Sequence, residues 1–230
     1  MRGGRAVRPG SGQRSRAGRR LGTQADVLDP RMPFLAETPS QTAGPYLHIG
    51  ATPGLAGLEG VYERDLGSTM RSDGAEGEAI NLRGTIRDGT GALVRDALVE
   101  CWQADANGRF AGSADTDPAF SGFGRSACDP QAGEWRFETV RPGRVAWTDG
   151  RLQAPHVSLW IVARGVNVGL HTRLYFEDDP ANDEDPLLGA IQPPERARTM
   201  IARREGDAWR LDIRLQRGPA GEPETVFLDM

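Results

Sequence analysis

Three histidines, His48, His156 and His171, make up the whole supply of imidazole in this chain of 230 residues. His156 and His171 each begin a strand-like stretch, and the carboxylates of residues 177–179 follow the second stretch. Two imidazoles and one carboxylate are a known ligand set for iron, so these side chains are candidates for a metal site. The alternative, which we favour, is that each imidazole is hydrogen-bonded at a strand end.

The sequence does not indicate nucleophilic catalysis, phosphate binding or lysine chemistry. There is no G-x-S-x-G elbow, neither cysteine has a histidine near it in sequence, and no glycine loop opens a helix. All 28 basic residues are arginine, which excludes a Schiff-base or P-loop lysine. Cys101 is predicted to be a small core residue. Two cysteines in a chain of this size indicate a reduced, cytoplasmic protein.

Basic charge is concentrated at the N-terminus. Residues 1–31 contain eight arginines and two aspartates, a net charge of +6, so the remainder carries −10. An acidic body argues against binding of nucleic acid, and no run of eighteen apolar residues exists that could form a membrane-spanning helix. We interpret residues 1–31 as a disordered basic tail or a mis-assigned start. Residues 32–78 are predicted to be an N-terminal arm with a Gly-rich connection, and residues 79–230 a single β-domain.

Short strands separated by Gly- and Pro-rich turns dominate that β-domain. Alternating or continuous apolar patterns predict strands at 80–87, 97–103, 134–140, 155–163, 171–176 and 209–216, and only 194–200 is typical of a short helix. Residues 88–91 and 105–108 carry turn signals. The pattern predicts an all-β fold, with a β-sandwich core of mixed short strands, long loops and one or two short helices.

Several of these segments resemble intradiol ring-cleavage dioxygenases. Residues 38–46 (TPSQTAGPY), followed by His48-Ile49-Gly50, resemble the N-terminal arm of that family. The stretch from Gly84 through 94–97 (VRDA) to 100–108 (ECWQADANG) resembles the central signature, as do 141–143 (RPG), 155–156 and 174–176 (LYF). The similarity runs from about Phe34 to the C-terminus. It implies an enzyme family that uses ferric iron and O₂ to open an aromatic ring between two hydroxyl-bearing carbons.

The chain departs from the family at the iron ligands. Catalytic chains of this family hold the metal with two tyrosinates and two histidines. Here residues 109–123 contain no tyrosine, Val145 stands at the second tyrosine position and Ser158 at the second histidine. Only His156 remains, and a lone neutral imidazole does not replace anionic phenolates. The resemblance therefore implies that this chain alone holds no metal and has no catalytic residue of its own.

Within the family, residues 163–165, 171–173 and 224–227 resemble the α subunit of a two-chain enzyme. That resemblance implies a hetero-oligomer in which a catalytic β subunit binds the Fe(III), and a pocket at the subunit interface takes a small aromatic acid and O₂. Thr42, Gly44, Pro45 and Arg164 are expected to line that substrate pocket. The guanidinium of Arg164 would then hold the carboxylate of the substrate.

Simpler interpretations stay open. Arg164 is also compatible with a strand-end arginine paired to a local carboxylate, and Gly44-Pro45 with a turn that Thr42 only caps. A stand-alone β-sandwich binding module with a degenerate iron site is the first alternative function, and a single-chain metallo-enzyme using His156 and His171 is the second. An obligate subunit differs from both because it has a large apolar surface to cover.

Overall fold

Eight of the nine strands in the described part of the chain are hydrogen-bonded along one continuous path. The computed structural model describes residues 42–44, 46–62 and 67–229, so the tail predicted at 1–31 lies outside it. The strands are β1 Ala79–Arg87, β2 Leu98–Trp102, β3 Phe123–Ala127, β4 Glu134–Val140, β5 His156–Val162, β6 Leu170–Phe176, β7 Ile201–Glu205, β8 Ala208–Arg210 and β9 Ile213–Arg214. Their order is β3-β2-β5-β6-β7-β8-β1-β4, and β9 pairs with β1.

β7 joins two layers that share one hydrophobic core. It pairs in parallel with β6 of the first layer and antiparallel with β8 of the second. Cys101 and Leu159 from the first layer pack in the same buried cluster as Leu82 and Trp135 from the second. In β1 the buried positions alternate at its start, as expected for a strand with one face on the core. The prediction of an all-β, sandwich-like fold is confirmed.

Helical structure is short, and there is more of it than predicted. The described residues contain one α-helix, α1 Tyr46–Ala51, and 3₁₀-helices at Pro180–Glu184, Leu188–Ala190 and Pro194–Met200. The three 3₁₀-helices contribute to a second, smaller buried cluster. None of the described helices is long and apolar enough to cross a membrane.

The prediction of one continuous strand over 209–216 is wrong, because two short strands, β8 and β9, lie in this region. Between β8 and β9, the Asp212 carboxylate accepts hydrogen bonds from the Thr85 N–H and the Thr85 hydroxyl, both at 2.9 Å. The carbonyl of Leu211 lies where a side chain on Gly84 would project. These contacts with β1 replace regular pairing for two residues. β3 and β7 were not predicted, and residues 226–228 contribute only a single bridge, from Leu228 to His171.

Candidate functional site

Arg164 lies in the turn that follows β5, and the N-terminal arm holds that turn. Gly165 has φ +86°, and the Val166 N–H donates to the Ala163 carbonyl at 3.1 Å. The Thr42 hydroxyl accepts the Gly165 N–H at 2.6 Å and donates to the Ala163 carbonyl at 3.4 Å. One side chain of the arm therefore bonds to the backbone on both sides of Arg164.

The side chain of Arg164 makes an ion pair with Asp96. Its Nε lies 3.2 Å from Asp96 Oδ2, with 83% of the arginine side chain and 40% of the aspartate side chain exposed. The alternative in which Arg164 pairs with a local carboxylate is therefore observed. The pairing does not exclude a ligand, because a guanidinium has five donors and this contact uses one edge.

His48 of α1 completes the connection between the arm and the core domain. Its Nε2–H donates to the backbone carbonyl of Asp96 at 3.1 Å. The His48 carbonyl in turn accepts the Thr52 N–H at 2.8 Å and the Thr52 hydroxyl at 3.1 Å, and Thr52 is buried. The imidazole thus has a structural role here, holding the loop that precedes β2.

Two cavities meet at this ion pair. One, of about 430 Å³, is lined by Ala43, Gly44, Leu47, His48, Asp96 and Arg164. The other, of about 570 Å³, extends from the same Asp96 and Arg164 towards Leu55, Leu93 and Cys128. The structure therefore brings Thr42, Gly44 and Arg164 together, whereas Pro45 lies outside the described residues. Sequence reasoning missed Asp96 and His48 as members of this site.

His156 is buried at the start of β5. Its Nδ1–H donates to the Ala154 carbonyl at 2.8 Å, and its ring lies 5.5 Å from that of Tyr175. Burial, together with the positive charge of Arg173, lowers the pKa of His156 to about 4. The imidazole is therefore neutral at physiological pH, with its Nε2 lone pair unprotonated.

A buried polar network lies beside this imidazole on β6. Arg173 Nη1 donates to Gln153 Oε1 at 2.7 Å and to the Tyr175 hydroxyl at 3.2 Å. The Tyr175 hydroxyl donates to Asp185 Oδ1 at 3.3 Å, and burial raises the pKa of this phenol. Asp185 also accepts three backbone N–H groups, from Ala154, Leu187 and Leu188. The phenol of Tyr175 therefore stays protonated, mainly because it is buried.

The proposed metal set of two histidines and a carboxylate does not assemble. His156 pairs with Tyr175, whereas His171 pairs with Trp160, four residues further along the ladder. At the rise of a strand this separation is about 13 Å. The carboxylates after β6 have other partners, because Asp178 and Asp179 both bind Arg141. Across the residues that the structure describes, no group of three or more His, Cys, Asp or Glu side chains is arranged to hold a metal.

Neither cysteine is placed as a nucleophile. Cys101 and Cys128 are free and buried. Burial raises the pKa of both thiols, that of Cys128 to about 12. The prediction that Cys101 is a core residue is confirmed, because its side chain is fully enclosed in the main cluster.

Comparison with known sequences places this chain in a family. A sequence profile described as "Dioxygenase" matches residues 58–216, more than half of the chain. The chain belongs to the intradiol dioxygenase family. An intradiol relative, the protocatechuate 3,4-dioxygenase alpha chain of Pseudomonas putida, is 47% identical over 85% of this chain and 98% of its own length. The protocatechuate 3,4-dioxygenase beta chain of Burkholderia cepacia is 33% identical over 63% of this chain and 64% of its own length.

A solved structure supports the same fold. The hydroxyquinol 1,2-dioxygenase of Pseudomonas putida DLL-E4 superposes with a TM-score of 0.52 at 20% identity, over 68% of this chain and 61% of that one. At this identity the likeness concerns the fold alone. The intradiol dioxygenase scaffold is thus present in this chain, and its two sheet layers position the residues described above.

Intradiol dioxygenases in general depend on iron, and the residues of this chain do not fit it. Of the four positions that the resemblance assigns to ligands, only His156 carries a ligand side chain. Val145 is buried and apolar, and Ser158 pairs across the ladder with Arg173, whose guanidinium is a cation. A fixed positive charge beside one neutral imidazole disfavours a second cation at the same place. Arg173 was not singled out from the sequence, where it is one arginine among 28.

Proposed function

We propose that this chain is the α subunit of a protocatechuate 3,4-dioxygenase and works with a catalytic β subunit that binds the ferric iron. The enzyme inserts both atoms of O₂ into protocatechuate and yields 3-carboxy-cis,cis-muconate. The observation that carries the proposal is the near full-length similarity to an alpha chain, combined with a ligand set reduced to His156.

Exposed apolar side chains support the proposal that this chain binds a partner subunit. Between residues 46 and 62 the side chains of Tyr46, Ile49, Leu55, Leu58, Val61 and Tyr62 are all more than 40% exposed. So dense a group of large apolar side chains on one segment is typical of a surface covered by another protein. The segment begins beside the cavity of Gly44 and Arg164, so a partner that covers it would also wall that cavity.

The side chain of Arg164 supports the proposal that the substrate is an aromatic acid. Protocatechuate has one carboxylate, and the terminal guanidinium nitrogens of Arg164 have no hydrogen-bond partner among the described residues. Paired guanidinium nitrogens match a carboxylate in geometry and charge. Thr42 and Gly44 contribute by holding and bordering this arginine, and we assign Pro45 to the same pocket from the resemblance alone.

The test compares Arg164 variants in the co-purified complex of both chains. A partly solvated contact between arginine and carboxylate contributes roughly 1–3 kcal/mol, so Arg164→Ala should lower kcat/KM for protocatechuate about five- to a hundredfold, mostly through KM. Arg164→Lys should recover part of the loss because the charge stays and the planar fork does not. Arg151→Ala serves as a control, because this exposed arginine pairs with Asp149 and lines neither cavity.

The same preparation separates the proposal from its alternatives. A complex that forms and turns over protocatechuate only when both chains are present supports an α subunit. A chain that shows no affinity for a β chain and still binds an aromatic acid would instead be a stand-alone binding module. Iron-dependent activity of the chain alone would identify a single-chain metallo-enzyme.

A further inference from the structure

The register of the first layer brings Asp96 against Arg164. Leu98 of β2 pairs with Val162 of β5 in the antiparallel ladder. Beyond the ladder both segments turn, Asp96 just before β2 and Arg164 just after β5, and the two side chains meet at 3.2 Å. The antiparallel pairing of β2 with β5 therefore brings the two turns, and with them this ion pair, to the same end of the sheet.

The contact uses Arg164 Nε and leaves both terminal nitrogens available. Within the described residues neither Nη1 nor Nη2 has a hydrogen-bond partner. The edge formed by these two nitrogens is the one that binds a second carboxylate with two parallel hydrogen bonds. A contact through Nε thus restricts the directions that this free edge can take.

Asp96 is itself held in place by the arm. His48 Nε2–H donates to its carbonyl at 3.1 Å, while Thr42 bonds to the backbone on both sides of Arg164. An ion pair as exposed as this one contributes little to the stability of the fold. The backbone of each residue in the ion pair is thus held by a side chain of the arm, although the pair contributes little to stability. This indicates that the relative position of the two side chains is important for function.

We propose that Asp96 is a positioning residue, which aims the free guanidinium edge of Arg164 at the carboxylate of the aromatic acid. This inference rests on the proposed function. Asp96 also adds a negative charge close to an anionic ligand, but this charge is paired with the guanidinium itself. Orientation dominates, because an exposed arginine side chain otherwise loses its rotamer freedom when the substrate binds.

The test measures steady-state kinetics of the two-chain complex with Asp96→Ala. KM for protocatechuate should rise about three- to tenfold, while kcat changes less than about twofold. Asp96→Glu should restore part of the affinity because it keeps the carboxylate, and Asp96→Asn should fall between alanine and the native residue. Asp149→Ala is the matched control: it removes an exposed carboxylate that also pairs with an arginine, outside both cavities.

Two further readouts separate positioning from a general structural effect. Inhibition by 4-hydroxybenzoate should weaken in Asp96→Ala, whereas inhibition by its neutral analogue 4-hydroxybenzamide should stay the same. In an Arg164→Ala background, Asp96→Ala should add no further change in KM. Equal losses for both inhibitors, or a full additional loss in that background, would overturn the inference.

The outcomes also separate this inference from the proposed function. If Arg164→Ala raises KM and Asp96→Ala leaves it unchanged or lowers it, the inference alone is overturned. If Arg164→Ala itself has no effect, the substrate-binding role of Arg164 is overturned and the role of Asp96 with it. A two-chain complex that does not cleave protocatechuate overturns the proposed function and the inference together.

Discussion

Arg173 lies directly opposite Ser158 across the antiparallel pair of β5 and β6. Directly opposed residues of such a pair point to the same face of the sheet, so the guanidinium stands beside the position where a second histidine ligand is expected. The Arg173 side chain is buried and bonded to Gln153 and Tyr175. A buried, permanently charged guanidinium therefore lies beside the position of the expected ligand.

The first prediction concerns iron in the chain purified by itself. With His156 as the single remaining ligand and Arg173 next to it, the isolated chain should be colourless and inactive towards protocatechuate. Metal analysis and the visible absorption spectrum measure this directly, and the co-purified two-chain complex is the positive control. About one iron per isolated chain, together with a visible charge-transfer band, would contradict the prediction.

The second prediction concerns pH. The pKa of His156 is about 4 in the folded chain, against an ordinary value of 6.5, so between these values the unfolded chain binds a proton that the folded chain does not. The free energy of unfolding should therefore fall as the pH drops from 6.5 to 4, by about 1.4 kcal/mol per unit and about 3 kcal/mol in all.

Urea titrations at pH 7.0, 6.0 and 5.0 measure this loss, with His156→Gln as the comparison. Glutamine keeps a donor near the Ala154 carbonyl but does not titrate, so its stability should depend less steeply on pH over that range. The same slope in both proteins would assign the effect to other groups.

The third prediction concerns the arm. Thr42→Val keeps the shape of the side chain but removes the acceptor of the Gly165 N–H and the donor to the Ala163 carbonyl. Losing a hydrogen bond worth about 1 kcal/mol should speed hydrogen exchange of the Gly165 amide about fivefold. Thr42→Ser keeps the hydroxyl and should retain the native rate. Equal exchange in all three proteins would show that the arm does not hold this turn.

The fourth prediction concerns the close approach of β1 to the segment between β8 and β9. A Cβ on Gly84 would collide with the backbone of Leu211 and lie 2.9 Å from Trp135, and backbone atoms cannot move aside as a flexible side chain can. Gly84→Ala should cost about 2 kcal/mol or more and lower Tm by roughly 5 °C. Gly189→Ala is the matched control, because no atom lies within 4 Å of its Cβ position. Similar Tm values for both variants would refute the explanation.

Sequence patterns predicted those strands whose core-facing positions carry apolar side chains. β1 and β4 fall within a residue of the predicted bounds, since their alternation is plain in the sequence. β3 was missed because its core-facing positions are Gly124 and Ser126. A Cβ on Gly124 would come within 2.7 Å of the Met70 side chain, so a larger residue would fit only if that side chain moved. Here the neighbouring side chains fill the core, and the strand itself has no apolar pattern to recognise.

The candidate site could be predicted only in part, because the contacts that form it join residues far apart in the sequence. Thr42 and Arg164 were assigned by resemblance, and their connection through the backbone of Gly165 joins residues more than a hundred positions apart. Asp96 could be paired with Arg164 only once the structure showed the turns before β2 and after β5 lying side by side. Pro45 stays a prediction, as do the boundaries of the tail, the arm and the β-domain.

The position of β1 between β4 and β8 determines when the chain can finish folding. β1 is the first of the described strands to be synthesised, yet two of its neighbours, β8 and β9, follow it by more than a hundred residues. While the ribosome is still adding these residues, the edge of β1 that faces away from β4 has no partner among the described strands, and Trp209 has not yet covered its side of the core. Pairing over such a distance is slow and leaves an open strand edge meanwhile. Ribosome-stalled or C-terminally truncated chains should therefore be recognised by chaperones and proteases as incomplete.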